Sequence, residues 1–213
     1  MSFEIWIMFA TAYLIVTLSP GPNVILVIKN SIQQGWKSAL ITILGNLLCQ
    51  LIIVCLVAVG IGHLLAQLPE WFFAMKCIGG LYLIYLGFKN LHSVRSANID
   101  LPEAGNKHTH TQQPPTSLFT QAFFVSASNP KTLIFLSAFL PQFLDITHSH
   151  LEQFSVMYLT ICLIVTSVHL SYAFLSHRIG KTLKTQSIER KLTKITGGLF
   201  ITMGGGILLS SRT

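Results

Sequence analysis

The sequence predicts an all-α membrane protein. It is read as six transmembrane helices in a single domain spanning residues 1–213, built as two inverted three-helix repeats with the first helix of each repeat broken. Three observations carry this. Hydrophobic residues make up 51% of the chain and charged residues only 10%, against about 25% charged in a soluble domain, and mean hydropathy is +0.61. The apolar residues form segments long enough to cross a bilayer, separated by basic loops. Two of those segments are interrupted at matching places by helix-starting residues.

The spans fall at about residues 4–28, 39–67, 71–91, 118–141, 153–176 and 192–211. Six segments of roughly 20 residues account for the length. The first is expected to be retained rather than cleaved, because Met1-Ser2-Phe3-Glu4 lacks a basic leader and the apolar run exceeds signal-peptide length. The second is the clearest, with no charge between Ser38 and Pro69. A polar stretch at 92–117, with His108, His110, Pro114 and Pro115, reads as a linker between repeats 4–91 and 118–211. Three spans per repeat is an odd number, so the second repeat enters the membrane upside down relative to the first.

Loop charge sets the orientation. Eleven of the fourteen Lys and Arg residues lie on one side of the predicted bundle, including Lys29, Lys37, Lys89, Arg95 and the run from Arg178 to Lys194. The positive-inside rule places those loops and the linker in the cytoplasm and both termini outside, as for a multi-pass membrane protein. The net charge of +7 therefore serves topology. It forms no aromatic-interleaved patch of the kind that binds nucleic acid. Cys49, Cys55, Cys77 and Cys162 all fall in apolar segments without metal-binding spacing and read as small buried hydrophobes.

The first break reads Ser19-Pro20-Gly21-Pro22-Asn23 and the second Asn129-Pro130-Lys131. Asn129 suits an N-cap and Pro130 the first helical position, where a missing N–H costs nothing. Ser19-Pro20 repeats that pattern, which would put Pro22 at the third helical position, and Gly21 permits close approach of backbone or ligand. Two half-helix N-termini would then point unpaired N–H groups at the bundle interior, a setting for a carboxylate. A pair of proline kinks without a ligand is the plainer alternative, but two matched breaks with a lysine at one favour a site. Lys131 in mid-span costs roughly 2.5–3.5 kcal/mol to insert. The sequence offers it a substrate carboxylate, Asp145, or water as partners. Lys76, near the end of its span, can reach the interface instead.

Weaker signals surround these. Gly45, Asn46 and Gln50 are candidate cavity-lining residues on the second span. His169, inside the fifth, reads most simply as a satisfied buried histidine, with a proton relay as the alternative. Lys131, His169 and Asp145 are the candidates for proton coupling. Loop pairs His108/His110 and His148/His150 do not make a metal site, which needs more ligands at fixed geometry. Gly198, Thr202 and Gly206 form a small-residue stripe on the sixth span, suited to close packing within the chain or in a homo-oligomer. Nothing in the sequence asks for a cofactor, and no GxSxG, HExxH or Walker-type motif suggests an enzyme or an ATP-driven pump.

Taken together, the residues resemble the LysE/RhtB family of bacterial amino-acid exporters. The resemblance runs almost end to end. It rests on Ser19-Pro20-Gly21-Pro22-Asn23, on Gly35-Trp36-Lys37-Ser38-Ala39 with Gly45 following, on Lys76-Cys77-Ile78-Gly79-Gly80-Leu81-Tyr82-Leu83-Ile84-Tyr85-Leu86-Gly87, on Asn129-Pro130-Lys131, and on Leu140-Pro141-Gln142-Phe143. It implies a proton-driven inner-membrane exporter of amino acids or related small metabolites, whose partners are its substrate, protons and the bilayer. The chain departs from many members at Cys49, where they have glycine, and at Ile164-Val165-Thr166-Ser167, where some carry an acid. With no acid in spans two to six, zwitterionic amino acids are the expected substrates. Their carboxylate would meet Lys131 and the half-helix N-termini, and their ammonium the carbonyls freed at the breaks. A divalent-metal exporter or a non-transporting membrane scaffold is the alternative.

Overall fold

The structure is a computed structural model that describes residues 1–67, 113–145 and 148–179, with individual helical residues within 77–92 and 194–208. Most of the linker, the start of the third predicted span, Lys76, His108, His110 and Gly206 lie outside the described residues. Every regular element among the described residues is helical. In chain order these are α1 (Phe3–Leu18), α2 (Pro22–Gln34), α3 (Trp36–Gln67), α4 (Pro115–Ala127), α5 (Pro130–Ile134) and α6 (His150–Ile179). A π-helical turn at Phe135–Phe139 and a 3₁₀ turn at Leu140–Phe143 continue α5.

Two single helices are long and apolar enough to cross a membrane, Trp36–Gly60 and His150–Ser176. Two bent pairs pass the same test. Phe3–Leu18 and Pro22–Gln34 meet at 57°, and Pro115–Ala127 and Pro130–Phe143 meet at 60°. Both predicted breaks are therefore real bends in span-length segments.

Proline geometry explains where the chain breaks. A residue before proline is pushed out of the α region by the ring. Ser19 (φ −69°, ψ 117°), Gly21 (φ −130°, ψ −176°) and Asn129 (φ −81°, ψ 107°) are all extended. This corrects one detail of the sequence reading. Ser19 closes α1 instead of starting the next helix, its N–H donating to the carbonyls of Ile15 and Val16. Two successive X-Pro constraints delay the restart, so Gly21 is the cap and Pro22 the first helical residue of α2. At the second break the reading holds: Asn129 caps and Pro130 opens the helix. Gly35, at φ +84°, turns the chain from α2 into α3, a conformation that favours glycine.

The core forms where α1, α2, α3, α6 and the second bent pair meet, around Phe9, Val27, Ile43, Leu136, Met157 and Ile161, with Phe200 of the last helical segment joining it. Apolar side chains also face outward, among them Leu44, Leu56, Leu159 and Leu163, as expected of helices solvated by lipid. Cys55 belongs to that outward face, so it is not the buried hydrophobe expected. Glycines set two close helix approaches. A Cβ at Gly45 would collide with the Phe119 carbonyl, and one at Gly87 would lie 2.7 Å from the Gly197 carbonyl. Gly198 faces open space instead, so its part of the small-residue stripe does not pack within the described chain.

Candidate functional site

The two breaks meet. Asn129 Nδ2 donates to Asn23 Oδ1 at 3.2 Å, and Asn23 Nδ2 lies 3.3 Å from Ser126 Oγ and 3.4 Å from Thr132 Oγ1. All four residues are buried. Each helix break thus supplies an amide that satisfies the other, as buried polar groups in an apolar setting require.

Lys131 reaches from the second break into the first. Its Nζ donates to the carbonyls of Ser19 at 2.7 Å and Val16 at 3.1 Å, while its backbone N–H is held by Asn129 Oδ1 at 3.1 Å. The last carbonyls of a helix lack intrahelical partners and form the negative end of its dipole. Lys131 and Tyr172, whose hydroxyl donates to the Leu18 carbonyl at 2.8 Å, together close the C-terminus of α1. The partner of Lys131 is therefore a set of backbone carbonyls and not Asp145. Gly21 makes room for it: a Cβ there would stand 3.0 Å from Lys131 Nζ and 3.3 Å from Cε.

A cavity of about 30 Å³ opens at this point, lined by Gly21, Asn23, Val24, Asn129, Lys131 and Thr132 from the breaks, by Tyr13, Val16, Thr17, Gln50, Phe135 and Leu136, and by Val165 and His169 of α6. That volume suits about two water molecules and is too small for an amino acid. Tyr13 donates to Gln50 Oε1 at 3.0 Å across it. α2 starts at the cavity with Gly21 as cap and no side-chain cap hydrogen bond. The second restart is capped by its own Asn129 side chain, so only the first offers the open helix N-terminus expected of both. His169 is 3% exposed and its Nδ1 has no hydrogen-bond partner, so this histidine is not fully satisfied.

Tyr13 and Phe135, edge-on at 5.3 Å between centroids, lead into a run of aromatic rings. Phe9 packs edge-on to Phe143 at 5.4 Å between centroids, Phe139 contacts Phe143 at 5.0 Å, and Phe135 contacts Phe139 at 4.3 Å. Asp145 lies past this stack, paired with His148 at 3.0 Å and bonded through its backbone to Gln153.

Of the residues singled out by sequence, Gly21, Asn23, Asn129, Lys131, Gln50 and His169 line the cavity, and Ser19 contributes a carbonyl. Pro20, Pro22 and Pro130 shape the bends. Gly45 and Asn46 are not among the lining residues: Gly45 packs on α4, and Asn46 is buried one turn along α3 from Gln50. Asp145 is also absent from the lining. Sequence reasoning missed Tyr13, Thr17, Ser126, Thr132 and Tyr172. The small hydroxyls stand within a few residues of the breaks and could have been found by that proximity. The tyrosines carry no local signal.

The comparisons with known proteins agree with this picture. The LysE type translocator family model matches residues 14–211. The chain is 33% identical over 213 residues to a homoserine/homoserine lactone efflux protein of Salmonella typhimurium, covering 100% of this chain and 99% of that one. It is 31% identical over 189 residues to a leucine efflux protein of the same organism, covering 86% and 83%. An "Uncharacterized membrane protein" of Vibrio cholerae is 30% identical over 99% of this chain and 98% of its own. No solved structure matches. With its span-length helices, its paired breaks and a family match over nearly its whole length, the chain belongs to the LysE-type translocators, a family of membrane transporters.

Proposed function

We propose that the protein is a secondary active exporter of small zwitterionic amino acids or related metabolites across the bacterial inner membrane. One observation carries this reading: two helix breaks meet around a cavity that holds Lys131 and the uncapped start of α2. The efflux of homoserine and leucine named for the relatives points to the same substrate class.

The geometry suggests how a zwitterion binds. Its carboxylate takes the N-terminal turn of α2 at Gly21–Val24, where free N–H groups and the positive dipole end favour an anion. Its ammonium takes the carbonyls of Val16 and Ser19, which Lys131 Nζ occupies in this structure. The incoming ammonium displaces Lys131, and the released lysine turns to the substrate carboxylate. The cavity must expand for this, so binding is coupled to parting the two bent helices. Lys131 and His169, both lining the cavity, are the proposed proton carriers. The six-helix bundle of two inverted repeats, the outside termini, the cytoplasmic linker and a homo-oligomer belong to the same proposal. A divalent-cation exporter fits less well, because the cavity lining among the described residues contains Lys131 and no carboxylate.

Everted membrane vesicles test the function. Leucine or homoserine should accumulate in vesicles containing the protein when respiration acidifies their lumen, and an uncoupler should abolish it. Lysine, arginine and cadmium should accumulate far less. Accumulation of cadmium alone would replace this reading with the metal exporter, and no accumulation of any of them would leave the scaffold.

A further inference from the structure

A ridge along α3 carries Ser38, Thr42, Asn46 and Gln50 at intervals of four residues, and each is buried. Residues four apart are neighbours on a helix surface, so the row is a ridge that winds slowly about the helix axis. Gln50 ends the row at the cavity, bonded to Tyr13. Ser38 ends it at the basic turn between Lys29 and Lys37, its hydroxyl donating to the Asn30 and Gly35 carbonyls. Thr42 donates to the Ser38 carbonyl and accepts from Asn30 Nδ2 at 2.9 Å. Beyond Gln50 the next residue of the row is Val54, buried and apolar, in one hydrophobic cluster with Phe9 and Phe139, against which Phe143 packs. The polar row therefore runs to one side only.

Asn46 is the exception within it. It is fully buried, and both Oδ1 and Nδ2 lack a hydrogen-bond partner. A span packed purely for stability would place an aliphatic residue there, as it does at Val54, because an unsatisfied amide is costly where water is absent. A carboxamide offers one acceptor and two donor hydrogens. It can meet an ammonium and a carboxylate in turn without the fixed charge that would trap either.

From this we infer that the polar ridge of α3 is the arm by which a zwitterionic amino acid reaches the central cavity from the side of the Gly35 turn, with Asn46 its contact point and the Asn30–Thr42 hydrogen bond its closure. The inference rests on the transport reading above and deepens it.

Thiol labelling tests it. Single cysteines at Thr42 and Asn46, and at lipid-facing Leu44 and Leu48, are placed in a chain whose four native cysteines are replaced. A membrane-impermeant methanethiosulfonate is added on the side where Lys37→Cys reacts. The Thr42 and Asn46 positions should label about tenfold faster than the lipid-facing pair, since a thiol in lipid stays protonated and inert, and leucine or homoserine should slow them. Equal inertness at all four positions overturns the route. Asn46→Leu gives a second measure: efflux should fall about tenfold or more while the melting temperature holds or rises, because the orphaned amide is gone. Parental efflux by Asn46→Leu overturns the inference. Labelling decides the route and vesicle accumulation decides the function, so failure of one is not failure of the other.

Discussion

Asn23 and Asn129 hydrogen-bond to each other across the two helix breaks, at 3.2 Å and buried from solvent and lipid. Each follows or forms the restart of its own bent span. The contact therefore ties the hinge of one half of the chain directly to the hinge of the other, so a change in one bend is felt by its counterpart.

Removing either amide should loosen that tie. Asn23→Ala leaves Asn129 Nδ2 without its acceptor and takes an amide donor from Ser126 and Thr132, and Asn129→Ala removes both the shared bond and the cap on α5. Each should lower stability by about 1–3 kcal/mol. The double substitution should cost less than the sum by about 0.5 kcal/mol or more, as residues in one network do. Thermal unfolding of the purified protein in detergent measures both; strict additivity would show that the contact carries no coupling.

Lys131→Met keeps much of the stem and removes the charge and its two carbonyl bonds. The variant should reach the membrane at parental level or above, since a charge at mid-span costs roughly 2.5–3.5 kcal/mol to insert, yet export poorly. Lys131→Arg replaces a compact ammonium by a planar fork and should recover only part of the rate. Efflux normalised to folded protein decides it, and a Met variant working at parental rate would make the lysine purely structural.

Gly21→Ala acts on the same contact from the other side. The added methyl meets the flexible end of Lys131, so the fold should survive while the lysine is pushed off the Ser19 and Val16 carbonyls. Folded protein should stay near parental level and efflux should drop. A large loss of folded protein would mean that the glycine serves the backbone turn instead.

Gly45→Ala should be costly by a different route. Its Cβ runs into the Phe119 backbone and sits 2.9 Å from Ala122 Cβ, and neither can give way without moving α4 off α3. Overpacking of this kind costs about 1–3 kcal/mol. A lowered melting temperature with residual efflux per folded molecule unchanged is the expected pattern.

Orientation is checked by reporter fusions. A periplasm-active reporter at Thr213 should be active and one at Asn98 inactive, following the loop charges. A silent reporter at Thr213 with an active one at Asn98 would reverse the assignment.

Much of the architecture was legible because its causes are local. Prolines force the preceding residue out of the helix, and bends of 57° and 60° stand where Pro20-Gly21-Pro22 and Asn129-Pro130 were read. The exact restart at Pro22 is not legible from Ser19-Pro20 alone, because two prolines act in series. The site was legible only in part. Lys131 stood out by its charge, but its partners are backbone carbonyls, which every residue owns and no sequence marks. Tyr172 caps α1 from 154 residues away, and only the packing of α6 against α1 brings them together. Gly45 reads from sequence as cavity lining yet packs on α4, because small residues serve both open space and tight contact and the sequence does not distinguish them.

The winding of the chain after α5 has a geometric consequence. Phe135–Phe139 is coiled as a π turn and Leu140–Phe143 as a 3₁₀ turn. The first is slack, with more residues per turn than an α-helix, and the second is taut, with fewer. Surplus and deficit lie end to end. The two deviations act in opposite senses, so the Phe139 ring at their junction is displaced around the helix axis from where an unbroken α-helix would put it, and the winding past it turns back toward α-helical register.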